Sequence, residues 1–64
     1  MSRYNLKVVD VYRRSDDTIG VVFKDYDGEI YYKGLFMTYD REYGDWYVDT
    51  ITVENGKLTL YIYS

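Results

Sequence analysis

Asn55-Gly56 is the feature that most constrains how this chain can fold. The pair separates two runs in which apolar and polar residues alternate, residues 46–54 and 57–63. Asn-Gly suits a type I′ turn, because both central residues of that turn need positive φ. The turn sets a register in which Glu54 faces Lys57, Val53 faces Leu58 and Ile51 faces Leu60. Successive side chains of a strand point to opposite faces, so Ile51, Val53, Leu58, Leu60 and Ile62 are expected to share the aliphatic core face. Val48, Thr50, Thr52, Thr59, Tyr61 and Tyr63 share the other face. Val48 is expected opposite Tyr63, with Trp46 two residues further along that side.

The alternation extends over most of the chain. Residues 4–14 place Leu6 and Val8 on one face, then Val9 and Val11 on the other. That change of phase reads as a bulged first strand or one covered on both faces. Ser15-Asp16-Asp17 is a turn cluster. Ile19, Val21 and Phe23 alternate with Gly20, Val22 and Lys24 in a second strand. Asp25-Tyr26-Asp27-Gly28 fits a type I turn with glycine in the left-handed position. A four-residue loop sets Lys24 opposite Glu29, Phe23 opposite Ile30 and Val21 opposite Tyr32. A three-residue loop with a bulge shifts that register by one. The first is preferred because it keeps the apolar residues together.

A third strand is expected from Glu29 as far as Tyr39, bent at Gly34. Residues 36–45 allow two readings. Phe36, Tyr39 and Tyr43 have helical spacing, with Gly44 as a stop; alternatively residues 40–45 form a hairpin loop, the preferred reading. The whole chain then makes one all-β domain over residues 1–64. Its architecture is about five antiparallel strands in a meander, a small curved sheet or a partial SH3- or OB-like barrel.

Composition decides what such a sheet can do. A domain of about 60 residues buries only roughly 60% of the surface its unfolded chain exposes. Cys and His are absent, so no disulfide, Cys-His metal site, thiol nucleophile or imidazole base is available. A closed β structure or a homo-oligomer would compensate. No apolar run approaches the ~18 residues of a membrane span, and residues 1–14 lack an apolar leader core. A cytoplasmic location without membrane contact is expected.

Two carboxylate groupings invite chemistry. Asp25, Asp27 and Glu29 have calcium-loop spacing, but Ile30 and Phe36 stand where such a loop needs Gly and Glu. Asp40, Glu42, Asp45 and Asp49 form an acidic stretch, yet acid–base catalysis needs a pocket that raises one carboxyl pKa. The serines are Ser2, Ser15 and Ser64, all in turns or termini. The chain reads as a non-enzyme without cofactor or metal.

Ten tyrosines are the compositional anomaly. Tyr favours half-buried sheet positions, but ten exceed what so small a core holds with every hydroxyl satisfied. Exposed aromatic strips commonly mark interfaces. The leading expectation is therefore an acidic, Tyr-rich protein-interaction module. Trp46, Tyr61 and Tyr63 serve as its anchors, and Asp40, Glu42, Asp45 and Asp49 steer the partner. In its sharpest form it is an inhibitor that mimics nucleic acid and covers the basic site of a nucleic-acid-binding protein, by analogy with small acidic phage-encoded inhibitors. Asp25, Asp27 and Glu29 could extend that acidic surface.

The alternative is single-stranded nucleic-acid binding. Residues 1–14 hold Arg3, Lys7, Arg13 and Arg14 against Asp10, a local charge of +3 on a chain of net −3. That basic edge with exposed tyrosines is the combination such binders use. A homo-oligomer with the Tyr strip as self-interface is the third reading.

Overall fold

The Asn55-Gly56 turn forms as its residues demand, with φ of 53° at Asn55 and 75° at Gly56. It joins β3 (Tyr47–Glu54) to β4 (Lys57–Tyr63) in the expected register, Glu54 to Lys57, Val53 to Leu58 and Ile51 to Leu60. The computed structural model describes residues 6–64. Ahead of this hairpin lie a helix α1 (Val8–Arg13) and strands β1 (Gly20–Lys24) and β2 (Ile30–Leu35). Two 3-10 turns follow, Phe36–Thr38 and Arg41–Asp45.

The strand order is β2-β1-β4-β3. β1 runs antiparallel to β2 and parallel to β4. The expected five-stranded antiparallel meander is therefore corrected to an open four-stranded mixed sheet. Strands still dominate and helix is scarce, so the all-β class holds at that level. The meander fails because residues 36–46 do not link neighbouring strands. They carry the chain from one edge, β2, across a face of the sheet to the other edge, β3.

That crossing supplies a second layer. Phe36, Tyr39 and Tyr43 pack edge-on against Phe23 of β1, with ring centroids 5.9, 5.6 and 6.2 Å away. Helix α1 lies alongside and contributes Val8 and Val11. Between this layer and the sheet sit Val21, Phe23, Val48, Leu60 and Ile62, all buried. The helical spacing of Phe36, Tyr39 and Tyr43 was thus the informative signal, expressed as short 3-10 turns. The hairpin loop preferred for residues 40–45 is not formed. Asp40 caps the second turn by accepting from the Glu42 amide at 3.1 Å.

Within the segment expected as the first strand, residues 8–13 are a helix. The change of phase between Leu6/Val8 and Val9/Val11 marks it: Val8, Val11 and Tyr12 are spaced i, i+3, i+4 and face the core. β-branched valines favour strands on propensity alone. Here the apolar face of the sheet needs cover, and that burial outweighs propensity. Asp10 fixes the helix start by accepting from the Lys7 amide at 3.0 Å. Just before it, the chain bridges to β3 at Lys7–Tyr47.

Two bulges correct the expected registers. The β1–β2 loop has three residues: Gly28 bonds back to the Asp25 carbonyl at 3.2 Å, and Asp25 N to the Glu29 carbonyl at 3.0 Å. Gly28 takes φ +96°, which glycine adopts without a Cβ penalty. Lys24 then pairs with Ile30, and an extra residue at Tyr31 resets the register so that Phe23 pairs with Tyr32. Ile30, expected beside Phe23, lies on the opposite face and is 51% exposed. A second bulge at Asp49 puts Val48 opposite Ile62 and Tyr47 opposite Tyr63. Val48 therefore joins the core rather than the Thr/Tyr face, whereas Ile51 and Val53, expected in the core, are 44% and 69% exposed on the edge strand β3.

Candidate functional site

One face of the sheet lies beneath the helical layer; the other is open. Strand alternation puts Val22 and Lys24 of β1 on the open face, with Lys57, Thr59, Tyr61 and Tyr63 of β4. β3 adds Tyr47, Thr50, Thr52 and Glu54 through its pairing with β4. β2 adds Ile30, Lys33 and Leu35. Lys7 joins them, since its ammonium lies 5.8 Å from the centre of the Tyr47 ring. All four lysines of the chain thus share this face, against the carboxylates of Glu54 and Asp49.

Tyr61 sits at its centre. The Tyr26 ring stacks on it, centroids 4.5 Å apart and planes 15° from parallel. The Lys24 ammonium lies 5.6 Å from the centre of the Tyr61 ring. The Tyr61 hydroxyl donates to Glu54 Oε2 at 2.7 Å, and that bond raises the phenol pKa above its ordinary value. Tyr26 is anchored in turn: its hydroxyl donates to Asp49 Oδ2 at 2.8 Å and hydrogen-bonds Thr50 Oγ1. The Asp49 bulge presents that carboxylate. Tyr47 and Tyr63 form a further pair at 5.5 Å.

Beside the stack, Lys24, Lys33 and Lys57 line a groove of about 160 Å³ together with the Glu54 carboxylate and Asn55, over Val22, Ile30 and Thr59. Thr59 is buried at its floor, its hydroxyl donating to the Lys57 carbonyl at 3.3 Å. Lys24 and Glu54 approach to 3.7 Å, the one ion pair within 4.0 Å among the described residues. Partly exposed as it is, that pair adds little stability. Lys33 and Lys57 have no carboxylate within 4.0 Å among the described residues.

The residues singled out from sequence divide between the two sides. Tyr61 and Tyr63 are on the open face, as expected. Trp46 is on the other side, partly buried against Tyr31 at 5.2 Å and Tyr43 at 5.1 Å. Tyr31 donates to Asp25 Oδ2 at 2.7 Å, and this bond, ahead of the turn amides, holds the Asp25 carboxyl below its usual range. Asp40, Glu42 and Asp45 are exposed in the 3-10 layer with Trp46. Asp49 is separated from them and bonded to Tyr26. Of the basic candidates, Lys7 reaches the open face, whereas Arg13 and Arg14 are exposed at the end of α1. Arg3 lies outside the described residues.

Among the described residues, neither set of candidates therefore forms one continuous surface. Lys24, Lys33, Lys57, Tyr26 and Tyr47 were missed. Alternation along β1 could have paired Lys24 with Val22 on one face, but the parallel β1–β4 pairing has no local sequence signature. Among the described residues no three carboxylates gather as a metal site would require. No helix among them is long and apolar enough to cross a membrane.

The chain matches no protein-family model, no curated protein and no solved structure. Its own geometry is the basis for a functional reading. The open face offers a tyrosine stack held by hydrogen bonds, a second tyrosine pair, and a groove lined by three ammonium groups and one carboxylate.

Proposed function

We propose that this chain is a non-catalytic binding module whose working surface is the open face of the sheet and whose partner is anionic. The observation that carries the reading is the gathering of all four lysines on one face of a chain with net charge −3. Four lysines against Asp49 and Glu54 give that face a surplus of two positive charges, leaving −5 for the rest. Such segregation supports recognition, because it steers an anion to one side and repels it from the other. The tyrosines supply contact area at low conformational cost.

Retention on immobilised heparin tests the proposal. A protein this acidic has no general affinity for a polyanion, so retention that salt abolishes is the expected result. The combined Lys24→Glu, Lys33→Glu and Lys57→Glu variant should elute in the void. If wild type also elutes there, the open face is not an anion-binding surface.

The inhibitor reading remains the competing proposal, supported by the exposed carboxylates of Asp40, Glu42 and Asp45. Its partner would be a basic nucleic-acid-binding protein docked on the helical layer, and it requires no affinity for heparin. Self-association through the Tyr face is a third proposal, which light scattering with and without Tyr63→Ser tests directly.

A further inference from the structure

We infer that the anionic partner is single-stranded nucleic acid, with Tyr26 as a base-stacking platform and Lys24, Lys33 and Lys57 as its phosphate contacts. The inference rests on the open face being the binding surface and adds the class of ligand. It starts from an imbalance in how Tyr26 is held. One face of its ring lies on Tyr61 and its hydroxyl is bonded to Asp49 and Thr50. Yet the residue is 66% exposed. A flat aromatic surface is thus fixed in orientation with its outer side uncovered. A base can stack on it without first freezing a mobile side chain, which is the usual entropic cost of using an exposed tyrosine.

The cations are arranged beside that platform. Lys24 lies on the Tyr61 ring beneath it, and Lys33 and Lys57 continue along the groove. A sugar–phosphate chain with one base on Tyr26 can run along this line. Base–aromatic stacking tolerates any base, and a four-stranded sheet is wide enough to stack two or three of them. A duplex would hide its base faces from Tyr26. An acidic peptide would satisfy the lysines but give the platform no role. The acidic remainder of the molecule confines the strand to this face, so the site is short and the binding sensitive to salt. Three phosphate contacts on a single strand give a slope of log K against log salt of about −2.

The test is fluorescence anisotropy at low salt with a 5′-fluorescein oligothymidylate of ten nucleotides. An abasic oligonucleotide of the same length, a duplex and polyglutamate are measured alongside. Expected is binding of the thymidylate, at least tenfold weaker binding of the abasic strand and duplex, and little competition by polyglutamate. Tyr26→Ala should weaken the thymidylate about tenfold and leave the abasic strand unaffected, whereas Tyr26→Phe, which keeps the ring but loses its bonds to Asp49 and Thr50, should fall between Tyr26→Ala and wild type. Equal binding of thymidylate and abasic strand, or no effect of Tyr26→Ala, overturns the stacking role. Retention on heparin without thymidylate binding overturns the nucleic-acid assignment while leaving the anion-binding face intact. Loss of both overturns the face itself. Unchanged Trp46 emission and far-UV spectrum identify the variants that are folded.

Discussion

The ring of Tyr26 lies flat on the ring of Tyr61, 4.5 Å away. The contact ties the β1–β2 turn to the centre of β4. The hydroxyl of the same Tyr26 reaches Asp49, 23 residues away in sequence. The bulge in β3, the three-residue loop after β1 and the parallel β1–β4 pairing meet in this one contact. Change any of the three and the platform comes apart.

The Tyr61–Glu54 bond makes stability depend on alkaline pH. The folded pKa of Tyr61 is raised, so its contribution is fully present below the unfolded tyrosine value of about 10 and is lost as pH rises through the folded one. Tyr61→Phe should remove part of the alkaline fall. Urea midpoints of both proteins across that range check it; parallel curves would show that the bond does not count.

The opposite sign applies to Asp25. Its folded pKa is lowered, first by Tyr31 and then by the turn amides. Its contribution is present above the unfolded value of about 3.9 and is lost as pH falls through the folded one. Asp25→Asn should be less stable than wild type at neutral pH and flatter on the acid side. Thermal midpoints from pH 7 downward read out the difference.

The covering layer depends on Phe36, which is fully buried and packs against Phe23 and Tyr12. Phe36→Ala should cost about 3–5 kcal/mol, a large share of the 5–15 kcal/mol typical of small domains. Trp46 is the single tryptophan and is partly buried in the same layer. Its emission should shift to the red in this variant; a wild-type spectrum would mean that the layer does not need Phe36.

Gly56 tests the feature that fixes the register. Its φ of +75° penalises any residue with a Cβ by about 1–2 kcal/mol. A Cβ there meets no atom within 4 Å, so Gly56→Ala isolates backbone strain from crowding. A denaturant midpoint lowered by that amount, without change in slope, is the expected reading.

Several parts of this molecule were written in local sequence. The Asn55-Gly56 turn fixed the β3–β4 register, and Asp25 to Gly28 supplied the residues of the second turn. The aliphatic face of β4 followed from alternation, as did the position of Tyr61 and Tyr63 opposite it. All of these depend on φ preferences or on period two, which neighbouring residues impose on one another. Tertiary structure decided the rest. Residues 8–13 became a helix because an apolar sheet face needed cover, against the strand propensity of their valines. The bulges at Tyr31 and Asp49 exchanged Ile30 and Val48 between faces, since a single inserted residue inverts every position beyond it. The parallel β1–β4 pairing brought Lys24, Lys33 and Lys57 to the same side as Tyr61. Residues so far apart in the chain share no local pattern, and burying the opposite face of the sheet is what holds them together.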